Sequence, residues 1–124
     1  WTMPAWARSI VFECCVHDHE IRYQLHAAVV MPDHVHLILT PLISIERAAV
    51  ISLAEIMIGI KGTFSHRINR RLKRSGRLWQ EESFDRVLRS SEKLDEKIEY
   101  IRNNPVRKGL VVRAEDYEWL WPAL

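Results

Sequence analysis

The segment MPDHVHLIL, residues 31–39, places two histidines one residue apart in a run that is otherwise typical of a buried strand. Successive side chains of a strand point to opposite faces of the sheet. His34 and His36 therefore share one face, and the valine and leucines that alternate with them share the other. The apolar residues can pack in a core while both imidazoles face away from it.

This histidine pair has two interpretations. It can be a pair of polar positions on a half-buried sheet, or it can bind a metal, because neutral imidazole is a common ligand and a strand holds two rings in a fixed relation. Two ligands are too few for a structural site, so a third would come from elsewhere, leaving positions open for water or substrate. Histidine-triad nucleotide hydrolases have a third alternating histidine, but Ile38 occupies that position here.

Composition predicts one compact domain over residues 1–124, since 48% hydrophobic residues are ample for a single core. The adjacent Cys14 and Cys15 are poor partners for a disulfide and lack the spacing of a zinc site, so we expect both to stay reduced in the cytoplasm. The sequence contains no apolar run of membrane-spanning length and no signal-peptide pattern at its start.

The charge distribution is more informative than the net charge of +2, which reflects 18 basic against 16 acidic residues. Residues 61–77 contain no acid, and their cations predict contact with a phosphate backbone. We call this set the basic stripe: Lys61, Arg67, Arg70, Arg71, Lys73, Arg74 and Arg77. The alternative is an ordinary solvated end of a helix.

The first half of the chain predicts a helix followed by a hairpin. A helix is expected over residues 4–17 and a strand over residues 22–31, with Pro32 and Asp33 forming the turn into the histidine strand. A long helix then begins near Ser52, which has the capping-box spacing to Glu55. The core stripe of this helix consists of Ile56, Ile60, Phe64 and Ile68. A parallel polar stripe consists of Lys61, Ser65 and Asn69.

The second half predicts a strand, a helix and a tail. We expect the strand at residues 84–88, and a helix capped by Ser90 or Ser91 that ends at Asn104, because Pro105 disfavours helical geometry before it. The tryptophan-bearing tail is predicted to be extended.

Tyr100 lies on this last helix but away from its core stripe. At about 100° per residue it falls about 120° from the centre of the stripe that contains Leu94, Ile98 and Ile101. Asn104, one turn later, lies on nearly the same side. A tyrosine at such a position is most often a half-covered surface residue.

Four motifs in order resemble the single-tyrosine HUH transposases, and especially their REP-associated branch. They are MPDHVHLIL, IKGTFSHRINRR, LWQ and IEYIRNNPVRKGLV, and the resemblance extends over residues 23–112. It implies that His34 and His36 bind a divalent metal, that Tyr100 is the nucleophile, and that Asn104 completes the metal shell. Histidine with hard oxygen ligands favours Mg²⁺ or Mn²⁺.

The implied activity is cleavage and strand transfer of single-stranded or hairpin DNA. Tyrosine has a pKa near 10, so nearby metal charge, with Lys97, would favour its ionisation. Attack leaves a 5′-phosphotyrosine link and a free 3′-hydroxyl, and it requires neither water nor a nucleotide cofactor. The basic stripe, Ser65 and Asn69 would contact the DNA backbone. The resemblance also implies a bacterial, cytoplasmic and nucleoid-associated protein, no membrane partner, and a possible homodimer.

The implied fold is α+β, a ferredoxin-like antiparallel sheet with helices on one face, but the expected first strand is missing before Pro4. We therefore expect the domain to be incomplete at its N-terminus and the sheet to lack a strand. A fragment, a strand supplied by another chain, and a decayed gene are the open explanations. Glu81 and Glu82 also depart from the family pattern. The rival function is a hairpin-binding module that does not cleave.

Overall fold

The chain forms an α+β domain, seen in a computed structural model that describes residues 2–74 and 94–122. This confirms the predicted fold class. The predicted strand at 84–88 and the cap at Ser90 or Ser91 lie outside the described residues. The elements are α1 (Ala5–His17), β1 (Tyr23–Val30), β2 (Val35–Pro41), β3 (Ile43–Ser44), β4 (Ala49–Val50), α2 (Leu53–Leu72), α3 (Leu94–Arg107), a 3₁₀ turn (Ala114–Asp116) and β5 (Leu120–Trp121).

The main sheet is antiparallel and has the order β2-β1-β5 within the described residues. The predicted hairpin is confirmed, because β1 and β2 pair from Val30 with Val35 to Tyr23 with Pro41. The other edge of β1 pairs with β5. The described residues thus supply three strands to this sheet, while β3 and β4 pair separately.

A bulge at His26 changes the phase of β1. The register of β1 against β2 shifts between Leu25 and Ala27. Leu25 before the bulge and Ala28 after it both belong to the core cluster that includes α1 and α2, whereas Ala27 belongs to the cluster that includes α3. The extra residue therefore exchanges the faces of odd and even positions along the strand.

The helices lie on both faces of the sheet, which corrects the expectation that all lie on one. On one face, α1 and α2 pack against residues such as Leu37. On the other, Ile101 of α3 packs with Val29 and Ile38. Because β1 is apolar on both faces from Ala27 to Val30, each face needs its own cover.

The start of α2 matches the prediction. Ser52 is the N-cap, and its Oγ accepts a hydrogen bond from the Glu55 amide at 3.1 Å. The Glu55 carboxylate does not complete a capping box but accepts two bonds from Arg47, at 2.8 and 3.0 Å. All four residues of the predicted core stripe are buried: Ile56, Ile60, Phe64 and Ile68.

The predicted end of α3 at Asn104 is wrong, since the helix continues through Pro105 to Arg107. Proline removes only the one backbone donor that would bond to the Ile101 carbonyl. The residue that terminates the helix is Gly109, which lies two positions after Arg107 and has a φ of +75°. The Leu110 amide donates to the Pro105 carbonyl at 2.9 Å and the Gly109 amide to Val106 at 3.0 Å, as in a Schellman motif. Burial of Ile101, Asn104 and Pro105 holds this last turn against the sheet.

The tail is not simply extended, which corrects a third expectation. It contains the 3₁₀ turn and β5, and Tyr117 between them is buried. The Tyr117 hydroxyl donates to the Val30 carbonyl at 2.6 Å, and burial raises the pKa of this phenol. The tail therefore covers the end of β1.

The two cysteines are unpaired, as the sequence predicts, and both are buried. Burial raises the pKa of both thiols. In residues 2–74 and 94–122, no helix combines the length and the apolar character that crossing a membrane requires.

Tyr117→Phe should lower the free energy of unfolding by about 1–2 kcal/mol, because the buried Val30 carbonyl loses a hydrogen-bond donor. Tyr100→Phe is the matched control, since that side chain is 57% exposed and should change stability by less than about 0.5 kcal/mol. Urea unfolding measures both. Equal midpoints for the two variants would show that the Tyr117 hydrogen bond contributes nothing.

Candidate active site

His34 and His36 lie together on the face of the sheet that α3 covers. Their ring centroids are 4.6 Å apart with an interplanar angle of 85°. Both side chains are half-buried, whereas Val35 and Leu37 are fully buried in the cluster of the opposite face. The predicted separation of imidazoles from core residues is confirmed.

Asp33 orients the first imidazole. The Nδ1 atom of His34 donates to Oδ1 of Asp33 at 2.7 Å, and this hydrogen bond lowers the pKa of the Asp33 carboxyl. With the proton on Nδ1, the Nε2 lone pair of His34 is available as a ligand. Our sequence analysis assigned Asp33 only to a turn. The signal for its second role was a carboxylate directly before a candidate ligand.

Tyr100 of α3 faces the histidine pair. Its ring centroid is 6.3 Å from that of His36, with an interplanar angle of 86°. The side chain is 57% exposed, so it is not a core aromatic, as its position on the helical wheel indicates. A nucleic acid can therefore reach the phenol while the helix holds it beside the imidazoles.

Asn104 lies one turn after Tyr100 but is only 2% exposed. Its amide nitrogen is buried with no hydrogen-bond partner in the part of the chain that the structure describes. An unpaired buried amide costs about 1–3 kcal/mol. Because the oxygen and nitrogen of an asparagine amide are assigned from their partners, either assignment leaves a polar atom of this side chain in need of one.

The donor set is compatible with a divalent cation. Among the described residues, no group of three or more histidines, cysteines and acids could hold a metal. A cation at His34 and His36 would therefore need a ligand of another type, and the amide oxygen of Asn104 is of the type that Mg²⁺ and Mn²⁺ accept. The orphaned amide and the orienting carboxylate of Asp33 both fit such a site.

Arg107 is a site residue that the sequence analysis missed. The central carbon of its guanidinium lies 4.0 Å from the centroid of the Tyr100 ring. Its Nη2 also donates to the Tyr100 carbonyl at 2.9 Å. The available signal was the spacing of seven residues, which places both on one face of a helix.

A cavity of about 230 Å³ adjoins His34, and its lining includes Met31, Asp33, Lys108 and Leu110. A larger cavity of about 550 Å³ lies between α1 and α2 on the other face of the sheet, with Arg67 in its lining. Of these two cavities, only the smaller one is lined by a residue of the histidine pair, His34. Space for a substrate at the candidate site is therefore next to His34.

The basic stripe is not brought to the histidines, because α2 and α3 lie on opposite faces of the sheet. Its cations differ in their environments. Arg67 donates to Glu13 at 2.9 Å, and Arg71 stacks on Trp6 at 4.3 Å. The other DNA-contact candidates within the described residues, all exposed or half-buried, are Lys61, Ser65, Asn69, Arg70, Lys73 and Arg74. Arg77 lies outside the described residues.

Together these features define an antiparallel α+β domain in which a His-x-His strand faces a tyrosine on a helix. A family model described as "Transposase IS200 like" matches residues 8–104, which include the histidines, Tyr100 and Asn104. The chain belongs to this family of IS200-like transposases, and the family implies that it binds DNA. No curated protein and no solved structure gave a match.

Arg70→Gln should weaken DNA binding and reduce the slope of log affinity against log salt by about one phosphate contact. Arg102→Gln is the matched control, because it removes the same charge from α3, where Arg102 is bound to Glu99. Fluorescence anisotropy of a hairpin at several salt concentrations measures both slopes. Equal changes would show that net charge, rather than the surface of α2, determines affinity.

Proposed function

We propose that this transposase is a metal-dependent endonuclease and strand-transferase for single-stranded or hairpin DNA, with Tyr100 as nucleophile. The observation that carries the proposal is the placement of the Tyr100 ring 6.3 Å from that of His36, which in turn lies 4.6 Å from the ring of His34. Assignment to the HUH type and to its REP-associated branch rests on the motif resemblance.

The reaction proceeds by displacement at phosphorus. The Tyr100 oxygen loses its proton and attacks, the bond from phosphorus to the 3′ oxygen breaks, and that oxygen gains a proton. The products are a 5′-phosphotyrosine link and a free 3′-hydroxyl. A 3′-hydroxyl of a second strand can then attack the same phosphorus and release the tyrosine, which completes strand transfer without hydrolysis.

His34, His36 and Asn104 would hold the cation. When bound, Mg²⁺ or Mn²⁺ supplies positive charge to a non-bridging oxygen of the scissile phosphate. Asp33 keeps the His34 ring in the tautomer and orientation that a ligand needs. The exposed phenol lets the DNA strand approach from solvent, while the half-buried imidazoles fix the position of the phosphate.

The surface of α2 would bind the rest of the DNA. Its cations lie on the face of the sheet opposite the candidate active site, so the DNA would have to extend around the domain to contact both. A folded hairpin has the length for this, and single-stranded segments have the flexibility.

Tyr100→Phe should abolish cleavage and the covalent protein–DNA adduct together, because the adduct is the cleavage product and only the attacking oxygen is removed. Incubation with a 3′-labelled hairpin and Mn²⁺, followed by denaturing gel electrophoresis, detects both, because the fragment that carries the 3′ end is the one joined to the tyrosine. Hairpin affinity should be unchanged. Cleavage by the variant with free 5′-phosphate ends would make water the nucleophile. Binding without an adduct in the wild-type protein would support the module that does not cleave.

His34→Ala/His36→Ala should abolish cleavage and Mn²⁺ binding while hairpin binding persists. Asn104→Ala should raise the Mn²⁺ concentration for half-maximal cleavage about 10- to 100-fold, since one ligand is lost and the nucleophile remains.

The matched control for these variants is His17→Ala, because His17 is exposed on α1 and is also bonded to the aspartate beside it, at 2.8 Å. Mn²⁺ binding is measured by calorimetry and cleavage on gels. A double variant that still cleaves at the wild-type rate would refute the metal role.

A further inference from the structure

Arg107 makes two contacts with the same residue, two helical turns away. Its guanidinium covers the Tyr100 ring at 4.0 Å, and its Nη2 donates to the Tyr100 carbonyl at 2.9 Å. The second contact anchors the guanidinium to the backbone that carries the ring. Arg107 thus contacts both the ring and the main chain of Tyr100.

The helix itself allows this reach. Because Pro105 has no amide proton, it leaves the Ile101 carbonyl without its helical donor and crowds that turn. The next residues still form a helix, so Arg107 remains on the face of Tyr100 and Asn104. The Schellman motif at Gly109 then ends the helix, and Arg107 belongs to its last turn.

An exposed ring can take more than one orientation unless a neighbour holds it. Tyr100 is 57% exposed, and among the described residues its ring also faces that of His36, with the centroids 6.3 Å apart. The two remaining tyrosines are buried and donate to main-chain carbonyls, Tyr23 to Cys15 and Tyr117 to Val30, each at 2.6 Å. A nucleophile must present its oxygen in line with the leaving group, and a misplacement of about 1 Å can lower the rate about 100-fold.

We propose that Arg107 is a positioning residue for Tyr100, a role that rests on the proposed function. The guanidinium stacks on one side of the phenol and restricts it to the orientation that faces His36. A cation on an aromatic face is attractive, and the hydrogen bond to the Tyr100 carbonyl holds the guanidinium on that face, so the two contacts together favour one orientation of the ring. Arg107 lies beyond the matched residues 8–104 of the family.

The test compares Arg107→Ala with Arg102→Ala in otherwise intact protein. Arg102 is the matched control, because it lies on the same helix with the same charge but is bonded to Glu99. The chain has three tyrosines, so ¹³C labelling of tyrosine rings gives three sets of NMR signals, with Tyr23 and Tyr117 as buried references. Tyr100→Phe assigns the third set.

Arg107→Ala should move the Tyr100 signals towards those of an unstructured tyrosine and leave the reference signals in place. Its single-turnover rate of adduct formation should fall about 10- to 100-fold, while the DNA concentration for half-maximal rate changes no more than in Arg102→Ala. Arg107→Lys should restore part of the rate, because an ammonium also interacts with a ring face but lacks the planar fork.

Unchanged Tyr100 signals in Arg107→Ala, or a rate equal to that of Arg102→Ala, would overturn the proposal. A loss confined to DNA affinity would also overturn it, since Arg107 would then be a phosphate contact. If Arg107→Ala unfolds, Arg107→Lys decides by the same two measurements. Absence of an adduct in the wild-type protein would overturn the proposed function instead, and the NMR signals would then decide by themselves whether Arg107 holds the ring.

Discussion

Burial of β2 on one face is the interaction on which the rest of the site depends. Val35, Leu37 and Leu39 have no exposed surface and are packed into the cluster that contains α1 and α2. In a strand, one side chain cannot move to the other face of the sheet unless its neighbours exchange faces as well. As long as these three side chains stay in the core, His34 and His36 must face α3. The free energy of the core is thereby coupled to the orientation of two polar rings.

The opposite face of the sheet is less completely apolar, and it holds the polar residues of the candidate site. Ile38 and Val29 pack under Ile101, whereas Asn104, three residues later on α3, is buried, and its amide nitrogen has no hydrogen-bond partner among the described residues. An apolar side chain at this position would remove that cost. A buried residue that lowers stability, one helical turn after Tyr100, is more easily explained by binding than by folding.

Local pattern was sufficient to predict much of this structure from the sequence. The alternation of apolar and polar residues predicted the two strands of the hairpin and the sheet face of the histidines. The spacing of Ile56, Ile60 and Phe64 predicted the buried side of α2. The side of the sheet on which α3 packs was not predictable from its own periodicity, because a helix stripe does not identify its partner. The extension through Pro105 and the strand in the tail depend on tertiary contacts, namely burial against the sheet and pairing with β1. Arg107 and Asp33 were missed because their roles depend on contacts between side chains, which the spacing of residues alone does not specify.

The bulge at His26 makes the number of residues in β1 a determinant of the site. On the Tyr23 side of the bulge, odd positions face α1 and α2, whereas on the Val30 side the even positions do so. Met31, which leads into the turn before His34, follows the pattern on the Val30 side of the bulge, where odd positions face α3. Loss or gain of a single residue near His26 would have one of two effects. Either the side chains of one end of β1 would exchange faces, or the pairing of β1 with β2 would shift by one residue. Evolution of this segment is therefore expected to accept substitutions far more readily than insertions or deletions.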